Sequence, residues 1–417
     1  MPAGESDRAG SCFRLSDKPK VLHIITKMVA CGGASLTAKL LAEYQASEES
    51  AFEPGLAYGL GMDAEEEALK VAGSVEQFQV ASLVRPLSPL QDWRALGELR
   101  KVIRSYRPTV VHTHSSKAGV LGRLAARKER VPVIVHHVHG WSFHDRMPAW
   151  ERALFIAIER YMARRCQGLL MVAHEDQRIA AERSIGASSQ WHMVRSGLQM
   201  AEFAPTDPGR REAARRALGL DGERFVVGTV AQLRPQKSPL DFVKVAKAVT
   251  SQHEDALFVW IGDGPMRGEV EAAIAQERLS EHVRLVGSRT DVRDLYPAFD
   301  VFVLTSLWEG LPRTVVEASV VGLPVVATAV AGTAEAIRDG HNGLLAEPGD
   351  AAGLASCILR LYQDPALRRG LCAHAQAMRE EFSIERAVAD LERLYLSLLS
   401  GATGGQAAFG TAGESGP

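Results

Sequence analysis

Along most of its length the chain alternates between short runs rich in Val, Ile and Leu and longer amphipathic stretches, a rhythm that few architectures accept. VLHII (21–25), TVVHTH (109–114), VPVIVHHVHG (131–140) and GLLMVA (168–173) read as buried strands, as do FVVGTVAQL (225–233), ALFVWIG (256–262), DVFVLTS (300–306) and PVVATAV (324–330). Between them 35–46, 91–106, 117–128, 149–165, 238–251 and 266–277 carry helical patterning. This spacing predicts parallel sheets covered by helices on both faces, an α/β architecture. At about 150 residues per domain, 417 residues hold two or three domains. The segment 196–210, SGLQMAEFAPTDPGR, has two prolines and no clear periodicity. It reads as the linker between two doubly wound halves, 19–203 and 204–383. A pocket between such halves lies at the C-terminal ends of their strands. The segment 384–400 follows the completed second half and is expected to pack back across the cleft.

Composition excludes several classes. Apolar residues are 46% and charged residues 24%, so disorder is expected only in the tails 1–18 and 401–417. A net charge of −2 argues against a nucleic-acid coat. The five cysteines, at 12, 31, 166, 357 and 372, form no CxxC pair and read as reduced thiols. The N-terminus lacks the apolar core of a secretory signal, and the longest apolar stretch, 315–332, is broken by Glu317 and Pro324. The expected location is the cytoplasm, soluble or peripheral at the inner face of the cell membrane. Charge is uneven: residues 85–165 hold 16 basic and 6 acidic residues, net +10. That segment reads either as a face for anionic lipid or a lipid-linked acceptor, or as solvated helix surfaces. On the second view Trp150, Leu154, Ile158 and Met162 pack into the core.

Five motifs could carry chemistry. In Val230–Lys237, Arg234 and Lys237 stand three apart on a turn that feeds a helix N-terminus, which suits a diphosphate. Gly262-Asp-Gly-Pro265 follows a strand, and its glycines permit a sharp turn or a close approach to a ligand. In Glu309–Glu317, Pro312 suits a helix start. The amides of Arg313 and Thr314 would then face the cleft, and Glu317 could accept from two vicinal hydroxyls. An unpaired carboxylate inside the apolar run around Glu317 would be costly. Gly32-Gly33 after the first strand opens a helix without the GxGxxG fingerprint, which disfavours a nicotinamide cofactor. Finally, His112, His114, His136, His137, His139 and His144 end or follow two strands, so that several are expected to face the cleft. Their spacing matches no familiar metal-ligand pattern, and His139 is read as a sugar or phosphate contact.

Together these motifs resemble glycosyltransferase family 4 over nearly all of 20–400. The likeness rests on Gly32-Gly33, His112-Thr-His114, His139-Gly-Trp-Ser-Phe143, Arg234…Lys237, Gly262-Asp-Gly-Pro265, Glu309-x7-Glu317 and Glu335…Asp339-Gly-His-Asn-Gly-Leu344. HTHSSKAGVLG (112–122) with VHGWSF (138–143) resembles the subgroup that builds bacterial surface polysaccharides. The resemblance implies a GT-B fold of two Rossmann-like domains facing across a cleft. It also implies retaining transfer of a hexosyl or N-acetylhexosaminyl group from a nucleotide sugar, most often a UDP-sugar, to a glycan or polyprenyl-diphosphate-linked acceptor. It implies Arg234 and Lys237 on the donor diphosphate in place of a metal, and Glu317 on the ribose. Glu309 and the amides of Gly310 to Thr314, Arg313 included, would sit by the sugar and phosphates. Gly287 and Arg289 would meet the base, Gly33 the phosphate and His139 the sugar. No cofactor and no metal are expected. Ala231 and Gln232 stand where the family commonly has Gly and Arg, which bears on the shape of the loop. Two other readings share this frame: a sugar-nucleotide 2-epimerase or phosphorylase-like enzyme, and a non-catalytic sugar-nucleotide-binding partner.

Overall fold

The computed structural model describes residues 18–28, 33–59, 71, 74–220 and 224–407. Strands β1 (Lys20–Ile25), β2 (Glu53–Tyr58), β3 (Glu76–Gln79), β4 (Val110–His114), β5 (Val133–Val138), β6 (Gly168–Met171) and β7 (Trp191–Met193) form one sheet, ordered β3-β2-β1-β4-β5-β6-β7. Strands β8 (Phe225–Val230), β9 (Ala256–Ile261), β10 (Val283–Gly287), β11 (Val301–Leu304), β12 (Val325–Thr328) and β13 (Gly343–Ala346) form the second, ordered β10-β9-β8-β11-β12-β13. Every strand pairing in both sheets is parallel. The order runs outward from the first strand of each half and then reverses, so each sheet is doubly wound with its switch point beside β1 or β8. This is the α/β pair of domains the alternation predicts.

Five strands escape the sequence reading, and four of them, β3, β7, β10 and β13, are sheet edges. An edge strand is half exposed and loses the continuous apolar run; β3 is EQFQ. The fifth, β2, contains Pro54 and Gly55, and Gly55 is needed because Tyr106 packs where a Cβ would stand, 2.8 Å from its ring.

The segment read as a linker is anchored at both ends. Leu198 and Phe203 are buried in the second domain's core. Pro208 opens the helix Pro208–Ala217, whose cap Asp207 accepts from the Arg210 amide at 2.9 Å. The chain returns beside its outward path: Leu198 N donates to Phe382 O (2.7 Å) and Ile384 N to Leu198 O (2.9 Å). The helix Ile384–Ala407 then packs on the first sheet, with Leu391 and Tyr395 in one cluster with Leu41, Val133, Val135 and Leu170. It runs through Gly401, Gly404 and Gly405 to Ala407, so 401–407, expected in the tail, are helical; residues 408–417 and 1–17 lie outside the described residues.

Three helices share the other face of the first sheet. Pro89–Tyr106 packs on Ser116–Lys128, and the buried Arg123–Glu159 pair (3.2 Å) ties the latter to Ala149–Ala163. The expected stripe on Ala149–Ala163 is corrected. Ile156, Glu159 and Met162 face inward, while Trp150 is 71% and Leu154 51% exposed. The buried ion pair with Arg123 rotates the helix, because Glu159 must sit inside and Trp150 then cannot.

Candidate active site

The C-terminal ends of β8, β9 and β11 bring the predicted loops together. Beyond β8 the chain makes one 3-10 turn, Pro235–Lys237, before the helix Pro239–Thr250. Its shape is fixed from below. Trp260 Nε1 donates to Ala231 O (2.8 Å), and Leu233 N donates to Asp263 O (3.1 Å). A Cβ at Gly262 would stand 2.0 Å from Ala231 O, and one at Gly264 2.4 Å from Leu233 O. The Gly262-Asp-Gly motif therefore seats the Arg234 loop, and Ala231 is accommodated by it.

Arg234 is partly buried, and its Nε is a buried donor without a hydrogen-bond partner among the described residues. Burial lowers its pKa; the Glu309 carboxylate opposes this, and Arg85 from the first domain adds to the lowering. A desolvated guanidinium with an unmet donor is complementary to an oxyanion. Lys237 forms an ion pair with Glu309, which also accepts from Ser306 Oγ (2.6 Å) and Gln236 Nε2 (3.3 Å). Gln236 further donates to Trp308 O (2.8 Å). Gln236 and Ser306 were not singled out from sequence, since neither type is distinctive there.

The helix Arg313–Val320 follows Pro312, with its first turn closed by Val315 N to Pro312 O (3.1 Å). The amides of Arg313 and Thr314 precede that bond, as the motif predicts. Glu317 lies in the second turn and is buried. Its carboxylate accepts from Tyr296 Oη (2.7 Å) and Arg313 Nε (2.8 Å). The carboxylate that looked unpaired in an apolar run is thus held by two partners, one of them an aromatic 21 residues away that the spacing could not reveal. The Arg313 guanidinium also reaches Gly197 O (3.2 Å), so this side chain ties the site to the interdomain crossing.

Gly262 N donates to Gly287 O (2.8 Å), which joins the two predicted glycines at the ends of β9 and β10. Gly287 has φ +83°, a conformation suited to glycine. Arg289 is tied to Asp291 by bonds of 2.7 and 2.5 Å. Gly33 opens the helix Gly33–Gln45 with open space where a Cβ would be. Gly32 and Cys31 lie outside the described residues.

The two domains meet at glycines. A Cβ on Gly310 would stand 2.8 Å from His139 O and 3.1 Å from Gly140 Cα, and one on Gly332 would stand 2.0 Å from Gly310 O. Beside this contact the His144 ring stacks on Trp308 at 4.2 Å. Glu335 Oε1 accepts from Glu175 N across the cleft (2.8 Å). Burial, with Glu335 adding to it, pushes the Asp176 carboxyl up to about 7, and its Oδ2 is buried without a hydrogen-bond partner among the described residues.

The histidines correct the sequence reading. His112, His114, His136 and His137 are buried inside the first sheet; only His139 and His144 reach the cleft, half-buried. The β1–β4 register pairs His23 with His112, and the β4–β5 register pairs His114 with His137. With the period of two, His23, His112, His114, His137 and His139 share one face, while His136 lies on the other, against Gly119. Burial, the largest cause, lowers the pKa of all six, His23 and His137 to about 4. Two trios, His23/His112/His114 and His114/His137/His139, hold nitrogens within 4.8 Å of one another, a proximity that no spacing rule conveys.

Comparison with known proteins agrees with this geometry. Residues 32–197 match a glycosyl transferase 4-like domain and residues 210–378 match glycosyl transferases group 1. The chain is 30% identical over 329 residues to the Escherichia coli UDP-Gal:alpha-D-GlcNAc-diphosphoundecaprenol alpha-1,3-galactosyltransferase, covering 78% of this chain and 85% of that one. It is 28% identical over 304 residues to the 2-deoxystreptamine glucosyltransferase of Streptomyces kanamyceticus, covering 70% and 78%. In fold it is similar to Anabaena HepE in complex with UDP and glucose, with a TM-score of 0.77 at 22% identity over 91% of this chain and 100% of that one. Two parallel-sheet domains, a cleft at their strand ends and these relatives lead to one assignment: the chain belongs to the family 4 glycosyltransferases and has their GT-B fold.

Proposed function

We propose that this enzyme moves a hexosyl or N-acetylhexosaminyl unit, with retention, from a UDP-sugar to a glycan or polyprenyl-diphosphate-linked acceptor in cell-surface polysaccharide synthesis. The observation that carries the proposal is the buried Nε of Arg234, without a partner among the described residues, beside the Lys237–Glu309 pair. Arg234 and Lys237 hold the donor diphosphate and stabilise the charge that grows on it as the glycosidic bond breaks. The amides of Arg313 and Thr314 add donors at a helix N-terminus. Glu317, fixed by Tyr296 and Arg313, keeps lone pairs for the ribose diol. Gly262, Gly287 and Arg289 border the base, and Gly33 and His139 approach from the first domain. In this reading the cations replace a metal. The Escherichia coli relative, by its name, takes UDP-Gal and a diphosphoundecaprenol-linked acceptor, which supports the choice of donor and acceptor.

The acceptor side includes a membrane contact in this proposal. Among the described residues no helix is long and apolar enough to cross a membrane. Leu90 and Trp93 (73% exposed) lie in the first turns of Pro89–Tyr106, and Trp150 and Leu154 in those of Ala149–Ala163. Helices of a parallel α/β layer start at the strand C-terminal ends, so these apolar side chains flank the cleft. Arg100 and Arg104 are committed to Glu129 at 2.5 and 2.7 Å, so part of the positive charge is structural.

Thermal-shift titration with UDP, GDP and ADP, with and without EDTA, tests the donor site. UDP at about 100 times its Kd should add about 2.7 kcal/mol, with no dependence on EDTA. Stabilisation by another nucleotide alone, or its loss in EDTA, would overturn that part. Sedimentation with phosphatidylglycerol vesicles tests the membrane contact: the intact enzyme should co-sediment and Trp93→Ser/Trp150→Ser should not.

A further inference from the structure

Behind His139, three side chains of the first domain, Gln45, His23 and His114, have no part in the functions above. Gln45, the last residue of the helix Gly33–Gln45, is fully buried beneath the histidine face. Its Oε1 lies 2.8 Å from His23 Nε2, and its own Nε2 is buried without a hydrogen-bond partner among the described residues. His23 Nδ1 lies 3.1 Å from His114 Nε2, and His114 Nδ1 lies 3.1 Å from His139 Nε2. The row thus runs from an interior amide, through β1 and β4, to the half-buried ring whose backbone carbonyl lies against Gly310.

A neutral imidazole has one N–H and one bare nitrogen, so a head-to-tail row has only two settings. An oxygen at its inner end accepts from His23 Nε2–H. His23 Nδ1 then accepts from His114 Nε2–H, His114 Nδ1 accepts from His139 Nε2–H, and His139 Nδ1 is bare. An amide nitrogen at that end would reverse every bond and put a proton on His139 Nδ1. Burial keeps each ring neutral. An amide takes up no proton at neutral pH, so the row transmits hydrogen-bond polarity and not charge. Ring orientation is held by stacking: His137 lies 4.3 Å from His139, and its own Nε2 is fixed on Val194 O at 3.0 Å.

We propose that Gln45, His23 and His114 are positioning residues that set the tautomer of His139, so that its Nδ1 meets the substrate as a hydrogen-bond acceptor. An acceptor selects a hydroxyl of the transferred sugar or of the acceptor glycan and offers nothing to an ionised phosphate oxygen, whereas a donor at the same place would serve either. The substrate half of this statement rests on His139 as a sugar contact; the relay itself does not.

The test is nitrogen NMR on the full chain labelled with 15N-histidine at pH 7.5, with His139 assigned from a His139→Gln spectrum. The intact protein should show His139 as the single Nε2–H tautomer. Gln45→Glu, which only accepts when ionised, as the adjoining His23 Nε2–H favours, should preserve it. Gln45→Met, which offers nothing, should move His139 toward an even mixture of tautomers, although residue 45 does not touch it. Gln45→Met should also lower kcat for UDP release from UDP-galactose several-fold, with KM little changed and with rescue in Gln45→Glu. A His139 tautomer indifferent to Gln45→Met in a protein of unchanged Tm overturns the relay, as does a stoichiometric transition metal in the purified enzyme or a protonated Nδ1 in the intact protein. If UDP-galactose is not turned over at all, the NMR result still decides the relay, and the failure belongs to the functional reading.

Discussion

Lys237 and Glu309 neutralise each other in a nearly dry corner, so in the proposed donor site a diphosphate would have to draw the ammonium away from its carboxylate. Lys237→Ala is therefore expected to lower UDP release by about 10²–10³. It should also lower Tm, because Glu309 is left buried with only Ser306 and Gln236; kinetics and differential scanning calorimetry separate the two effects. Tyr296→Phe removes one of the two groups that fix Glu317 and should cost about 1 kcal/mol in urea unfolding. If Glu317 holds the ribose, the same variant raises KM for the donor. Asp176 gives a pH-dependent prediction. Its folded pKa, about 7, is above the ordinary 3.8, so the folded state favours the protonated acid. The stability this contributes is complete below about 3.8 and lost as pH rises through 7. Asp176→Asn should accordingly raise Tm more at pH 8 than at pH 5. The charged residues of the candidate site, Arg234, Lys237, Glu309 and Glu317, could be singled out because they stand just after strands or in the first turns of helices. Their anchors could not: Tyr296 and Trp260 come from elements distant in sequence from the groups they hold, and Gln236 is of no distinctive type.

At the scale of elements, legibility followed burial. Interior strands such as β9 and β11 are apolar on both faces and announce themselves, whereas the edges β3, β7, β10 and β13 do not. The histidine motifs were visible as letters, but which face each ring took depended on register. His136 and His137 are neighbours in sequence yet point to opposite sides of β5. The helix Ile384–Ala407 was legible as amphipathic, and its partner surface was expected across the cleft. Its anchors can be tested by equilibrium unfolding. Leu391→Ala should cost about 2–5 kcal/mol, as for other fully buried leucines. Tyr395→Phe should cost about 1 kcal/mol, since its hydroxyl meets His112 Nδ1 at 2.6 Å.

At the scale of the whole molecule, the buried histidines make the first domain sensitive to acid. Their folded pKa values are depressed, to about 4 for His23 and His137. The stability they contribute is present above about 6.5 and lost as pH falls through 4. Unfolding followed by the fluorescence of Trp141 and Trp191 should therefore begin at a higher pH than unfolding followed by Trp260 in the second domain. The glycine contact between domains gives a mechanical counterpart: Gly310→Val should wedge the lobes apart and raise the radius of gyration in solution scattering. The paired crossings at Leu198 and Ser383 have a further consequence. Because the last helix belongs by packing to the first lobe, the second lobe is topologically an insertion whose two ends lie side by side. A Cβ at Gly197 would stand 2.4 Å from Ile384 Cα. The gene could thus be cut and resealed there, with residue 197 spliced to 384 through a short glycine link, to give an autonomous first lobe, while 198–383 is expressed alone as a second protein.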